Sequence, residues 1–190
     1  MNRPATLLVL LLAGLLAGCG GGSRPTGIRA AETPADDVAE YQPRWRSHTV
    51  DSTQYRKVFL AGTIDMGRSS DWQAALVAHF RDSIGGRWLF FNPRRREFHA
   101  SPAEMEYQVA WELAHLEAAD LIVMNLLGDS RSPISLLEMG LYARSGKLFV
   151  ACSPDYYRYD NVRITCRRYG VPLYDSLTAL LDDLPQQSDE

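Results

Sequence analysis

From Lys57 to Leu184 the chain alternates short apolar runs with amphipathic stretches, and this constrains the fold more than any other feature. "KVFLAG" (57–62), "RWLFFNP" (87–93), "LIVMNLL" (121–127), "KLFVACS" (147–153) and "VPLYDS" (171–176) read as strands. "DWQAALVAHFRDSI" (71–84), "PAEMEYQVAWELAHLEAAD" (102–120), "SPISLLEMGLYARSG" (132–146), "NVRITCRRYG" (161–170) and "LTALLDDL" (177–184) read as helices. Trp72, Leu76, Phe80 and Ile84 fall on one stripe of the first helix, the spacing an amphipathic helix requires. The third strand run is nearly all apolar, as expected of a central parallel strand covered on both faces.

Strict alternation of strand and helix predicts a parallel sheet with helices on both faces. Right-handed crossovers leave few topologies. The simplest is a flavodoxin-like, Rossmann-like three-layer α/β sandwich with a five-stranded sheet in the order 2-1-3-4-5. Its ligand crevice then lies at the carboxyl ends of the first and third strands. The loops "AGTIDMG" (61–67) and "LLGDSRS" (126–132) border that crevice. In the helix after the second loop, Ser132 is expected as N-cap, Pro133 at the first helical position and Gly146 as the stop.

The beginning of the chain has another character. "TLLVLLLAGLLAG" (6–18) follows Arg3 and is too short to span a bilayer well. It runs into Leu16–Cys19, "LAGC", which resembles the lipobox of bacterial lipoproteins. That resemblance implies a signal peptide over 1–18, lipidation at Cys19 and anchoring in the cell envelope. Gly20 rather than Asp follows the Cys, so the expectation is the outer membrane, with the domain facing the periplasm. Residues 19–55, rich in Gly, Pro, Ala and charge, read as a flexible tether. The folded domain is expected over 56–185. Cys152 and Cys166 read either as a disulfide or as two buried thiols.

A net charge of −3 argues against a nucleic-acid binder, and Arg94-Arg95-Arg96 is too short a basic run to reverse that. There is no GxGxxG after the first strand, no Walker A sequence, no HExxH and no GxSxG. The four histidines, His48, His79, His99 and His115, have no metal spacing. No cofactor or metal is expected. What remains are acids: Asp65 in the first crevice loop, Asp129 in the second, Glu112 in the long helix, and Glu138 just beyond Ser132. A mid-helix Glu is ordinarily solvated. Paired carboxyls at a crevice also suit glycosidic chemistry, one attacking an anomeric carbon and the other protonating the leaving group.

"VFLAGTIDMGRSSDWQ" (58–73), "FFNPRR" (90–95), "QVAWELAHLEAADLIVMNL" (108–126) and "SPISLLEMGLYARSGK" (132–147) resemble the nucleoside 2-deoxyribosyltransferase-like family, and "NVRITCRRYGVPLY" (161–174) extends the match. The resemblance implies a flavodoxin-like fold, nucleoside and base substrates, and cleavage of an N-glycosidic bond with transfer of the sugar to another base or to water. It makes Glu138 the nucleophile that holds a covalent deoxyribosyl group. Glu112 stands where the family has an Asp and would help to protonate the base. Ser132 falls where the family places an Asp or Ser near the substrate. Asn161 resembles an Asn supplied by a neighbouring subunit, which implies a homodimer or higher oligomer. Gly62, Asp65, Trp72, Asn92 and Arg94 are expected around the substrate, with Gln73 beside Trp72.

The chain departs from the family pattern in three places. Phe59 replaces a Tyr whose hydroxyl helps to position the nucleophile. Glu112 is one methylene longer than Asp. Asp65 replaces a basic residue that contacts phosphate in nucleotide-cleaving members, which disfavours a 5′-phosphate. The alternative to an enzyme is therefore a catalytically impaired envelope module that binds nucleosides or nucleotides. A hydrolase of NAD-like dinucleotides is a third reading.

Overall fold

The computed structural model describes residues 37–46 and 50–184. The expected signal peptide and Cys19 lie outside the described residues. Seven strands form one sheet: β1 (Val38–Gln42), β2 (Trp45–Arg46), β3 (Arg56–Gly62), β4 (Trp88–Phe91), β5 (Leu121–Leu126), β6 (Leu148–Cys152) and β7 (Leu173–Tyr174). Five helices follow their strands: α1 (Trp72–Ser83), α2 (Pro102–Ala118), α3 (Pro133–Tyr142), α4 (Tyr159–Tyr169) and α5 (Leu177–Asp183). The strand order is β2-β1-β4-β3-β5-β6-β7. Its last five members reproduce the expected 2-1-3-4-5 order, and all their pairings are parallel.

The sheet has two strands more than expected, and both come from the stretch read as tether. β1 pairs parallel with β4, from Val38 opposite Trp88 to Tyr41 opposite Phe91. β2 folds back antiparallel on β1 after Arg44, which adopts a left-handed φ of 68°. Val38, Ala39 and Tyr41 are buried. The apolar surface in "VAEYQ" is too short, among Pro and charge, to stand out from its surroundings. Trp45 belongs to β2, but its side chain is largely exposed.

Two apolar layers sandwich the sheet. On one face Leu116 of α2, Met139 of α3, and Val162 and Cys166 of α4 pack on Phe59, Ile122 and Val150. On the other, Trp72, Leu76 and Phe80 of α1 and Leu180 of α5 pack on Val58, Leu60, Phe90 and Val123. Alternate residues of β3 and β5 feed opposite layers, as the two-residue strand period requires. Cys152 and Cys166 are free buried thiols in the first layer.

Two joints set the crevice. At the end of β3, Gly62 has φ 124°, and a Cβ there would lie 2.2 Å from the Asn125 carbonyl oxygen. Only a residue without a side chain lets β3 approach β5 this closely. The second joint holds α2, which is fixed more by polar clamps than by burial, since Leu116 is its one fully buried residue. Lys147 Nζ donates to the carbonyls of Leu116, Glu117 and Ala119 at 2.7, 3.0 and 3.0 Å. A cation on the last carbonyls of a helix satisfies their free lone pairs and meets the negative end of the dipole. At the other end the Ser101 hydroxyl caps Glu104 N, and Arg44 and Arg95 each reach Glu104 at 2.9 Å.

Candidate active site

The carboxyl ends of β3 and β5 meet in a chain of hydroxyls. Thr63 N donates to the Asn125 carbonyl at 2.9 Å. The buried Thr63 hydroxyl accepts from Leu127 N at 3.1 Å and lies 2.8 Å from Ser132 Oγ. Ser132 Oγ is 2.7 Å from Ser130 Oγ, which donates to Asp65 Oδ1 at 3.0 Å. Each hydroxyl has one proton, and a carboxylate only accepts. With the Ser130 proton on Asp65, Ser132 must donate to Ser130, and Thr63 to Ser132. The chain therefore has one direction, and its hydroxyl oxygens keep a lone pair for a ligand.

Three residues in these loops have left-handed backbones without being glycine: Asp65 (φ 49°), Met66 (φ 54°) and Ser132 (φ 39°). Such conformations cost free energy and persist only where surrounding contacts hold them. They also correct one expectation. Ser132 occupies the N-cap position of α3, but its hydroxyl makes no capping bond, because it serves the hydroxyl chain instead.

Helix α3 buries Ser135, Glu138 and Met139 on its inner face. Glu138 is only 8% exposed, and no described residue donates a hydrogen bond to its carboxyl. Burial first, and then the nearby Glu112 charge, push that carboxyl up to about 8. Water would stabilise the charged form, and here it is largely excluded. Glu112, half-buried on α2, is raised as well by burial, against the opposing effect of the Gln108 amide, whose Nε2 lies 2.8 Å from Glu112 Oε1. The two carboxyls, one on α2 and one on α3, are both partly desolvated and near enough for the charge of Glu112 to raise Glu138.

The structure brings some of the expected residues together and separates others. Glu138 and Glu112 form the carboxyl pair; Ser132 belongs to the hydroxyl chain that ends on the Asp65 carboxylate. Phe59 is fully buried and packs on Trp111, with ring centroids 6.3 Å apart, so it underlies the crevice and offers no contact surface. Gly62 serves the strand joint. Trp72 is a core residue of the α1 face whose indole N–H holds the Thr63 carbonyl at 2.8 Å.

Asn92 and Arg94 belong to a different cleft. Asn92 Nδ2 donates to Glu40 Oε1 at 2.7 Å. Arg94 is buried, with its guanidinium on Gln73 Oε1, Ser69 Oγ and the Ser70 carbonyl at 3.0, 2.8 and 2.9 Å. Together with Gln42, Trp45 and Asp71 they line a polar cleft of about 320 Å³ that includes neither Glu112 nor Glu138. Their partners come from β1 and the β3–α1 loop, and the β1 contribution was hidden in the supposed tether. Gln73, expected beside Trp72 at the substrate, is fully buried. Asn161 is exposed on α4, and Asp129 is exposed in its loop.

Sequence reasoning passed over Thr63, Ser130 and Gln108. For Thr63 the signal was a hydroxyl residue directly after a crevice strand, and for Ser130 a hydroxyl residue in the loop between β5 and α3. For Gln108 it was its place one helical turn before Glu112, on the same face.

A mostly parallel sheet with two carboxyls near its topological switch point defines a doubly wound α/β protein equipped for acid–base or nucleophilic chemistry. A family model described as "nucleoside 2-deoxyribosyltransferase like" matches residues 55–156, and the chain belongs to that family. No curated protein matches the chain.

The buried Glu138 has a measurable thermodynamic signature. Its folded pKa of about 8 lies above the ordinary value of 4.5, so the folded state binds the extra proton between these pH values. Stability is then lost as pH rises through this interval, by up to about 1.4 kcal/mol per unit for this group. In Glu138→Gln this loss disappears. Denaturant titrations of both proteins from pH 5 to pH 9 should show the variant gaining on the parent up to about pH 8 and holding its advantage above. Parallel stability curves would mean that Glu138 is solvated.

Proposed function

We propose that the protein is a lipid-anchored envelope enzyme that cleaves the N-glycosidic bond of deoxynucleosides and passes the deoxyribosyl group to another base or to water. The observation that carries this reading is Glu138: a carboxyl buried beside a second carboxyl, next to the crevice of the sheet. Family membership supports nucleosides as the substrate class. The anchor rests on the Leu16–Cys19 sequence.

In the proposed reaction the Glu138 carboxylate attacks C1′. The C1′–N bond breaks and its electron pair goes to the base, which takes a proton from Glu112. The product is a deoxyribosyl ester of Glu138. A second base or a water molecule then attacks C1′ from the opposite side, gives its proton to Glu112, and releases the Glu138 carboxylate. Two inversions give net retention.

Only ionised Glu138 can attack, and its pKa of about 8 keeps most of it protonated near neutrality. Base release should therefore rise as pH approaches 8. Glu138→Ala should abolish it, by on the order of 10³-fold or more, with circular dichroism unchanged. Chromatography of free base over a panel of deoxynucleosides and ribonucleosides, with and without an acceptor base, makes the measurement. Undiminished release in that variant would sink the assignment. Release of nicotinamide from a dinucleotide would favour the third reading.

A nucleoside-binding module without turnover is favoured by two observations. Phe59 brings no hydroxyl to the site, and the Glu138 carboxyl lacks a donor among the described residues.

The same proposal includes a second copy of the chain. Met105, Val109 and Leu113 on α2, and Ile134, Leu137 and Leu141 on α3, are each between 44% and 61% exposed. These two helices carry the carboxyl pair and lie on one face of the sheet. Outward apolar residues at helical spacing on adjacent helices mark an interface. Their continuity with the crevice suits a two-fold contact that would shield Glu112 and Glu138 from water. Sedimentation should give a dimer, and Leu137→Arg a folded monomer with reduced base release. A parent protein that sediments as a monomer at micromolar concentration would contradict this.

A further inference from the structure

We propose that Gln108 is a positioning residue of the carboxyl pair: its amide, pinned by the Pro93 carbonyl, aims a donor at Glu112 and so decides which carboxyl holds the proton they share. The inference builds on the reading of Glu112 and Glu138 as a working pair, although its test does not require turnover.

Gln108 stands one turn before Glu112 on α2. Its Nε2 donates to Glu112 Oε1 at 2.8 Å and to the Pro93 carbonyl at 3.1 Å. Its Oε1 is buried and has no hydrogen-bond partner among the described residues. A side-chain amide has a donor end and an acceptor end, and ordinarily turns to satisfy both. Here that turn would set Oε1 against the Pro93 carbonyl and the Glu112 carboxylate, both acceptors. The amide therefore holds a single orientation and leaves its own oxygen unmet. Buried unmet polar atoms are uncommon in folded proteins, and each calls for a reason. The reason here is the donor presented to Glu112.

That donor acts on the pair. A hydrogen bond to a carboxylate favours its charged form. Glu112 receives one from Gln108; Glu138 receives none from any described residue. The charge of Glu112 raises Glu138, so the two carboxyls titrate together and a donor on one drives the proton to the other. Gln108 thus favours the ionised form of Glu112 against its burial, and with it the proton on Glu138. In this resting state the nucleophile is masked. Attack at C1′ requires the proton to cross to Glu112, where the leaving base can take it.

The other ionisable groups on the packed elements have different engagements. Tyr142 on α3 donates to Glu117 at 3.2 Å. His115 on α2 has Nδ1 2.7 Å from the Trp111 carbonyl. Arg95, following the Pro93 segment, pairs with Glu104 at 2.9 Å, as does Arg44 from the β1–β2 turn. Arg94 is held by Gln73 and Ser69. None of these donates to Glu112 or Glu138.

The test is carboxyl ¹³C NMR of the full chain in detergent, with labelled glutamate. In a Glu138→Gln background the titration of Glu112 stands apart from its partner. Adding Gln108→Met, close in size but without a donor, should shift the Glu112 midpoint upward. In the chain that retains Glu138, the same substitution should move the Glu138 midpoint downward, because a neutral Glu112 no longer repels its charge. Gln108→Asn, which draws the amide back by one methylene, serves as a second variant and should shift both midpoints in the same directions. Unchanged midpoints in either folded variant would overturn the proposal. An upward Glu112 shift in a chain that releases no base would leave Gln108 its role and remove the transferase reading instead.

Discussion

The close approach of β3 to β5 is the constraint on which the rest of the site depends. Gly62 leaves no side chain between the strands, and Thr63 N then bonds the Asn125 carbonyl. This brings the loop after β3 and the loop after β5 within hydroxyl reach. Thr63, Ser132, Ser130 and Asp65 link the two in one direction. The linkage holds Ser132 at a left-handed φ and sets where α3 begins. Glu138 lies in the second turn of that helix. Its burial therefore follows from a backbone contact at the sheet's switch point, not from its own interactions.

The opposite wall is built by other means. Helix α2 buries little apolar surface and is fastened at both ends by charged groups, Lys147 on its last carbonyls and two arginines on Glu104. Such clamps fix direction without requiring a dry interface. They leave one helix face free to carry Gln108 and Glu112 toward the crevice, and apolar residues toward solvent.

Most of the fold was legible in the sequence because burial on both faces leaves a near-continuous apolar signature in β5, and turn residues punctuate the rest. The switch point followed from alternation alone, and with it the position of Glu138. Resemblance to a family then supplied a role for that residue. β1 and β2 were not legible: five residues with three buried side chains carry too little periodicity to separate from a charged, Pro-containing surround. The same omission hid the partners of Asn92 and Arg94, which come from β1 and the β3–α1 loop. The packing of Phe59 and Trp72 was not legible either. For Phe59 on β3, strand parity decides the side of the sheet only once register is known, and Trp72 opens α1, whose apolar stripe also faces the core. The hydroxyl chain and Gln108 stayed hidden because single Thr, Ser and Gln residues carry no pattern until three loops and a helix converge.

The central claim is that the buried Glu138 carboxyl is a nucleophile. Incubation of the protein with a 2-deoxy-2-fluoro nucleoside, followed by intact mass and peptide mapping, tests it most directly. Fluorine slows release of the glycosyl group more than its formation enough to trap the ester. The account predicts a covalent sugar on the peptide containing Glu138. Saturable, reversible binding with no mass added at Glu138 would contradict it and leave a binding module in its place.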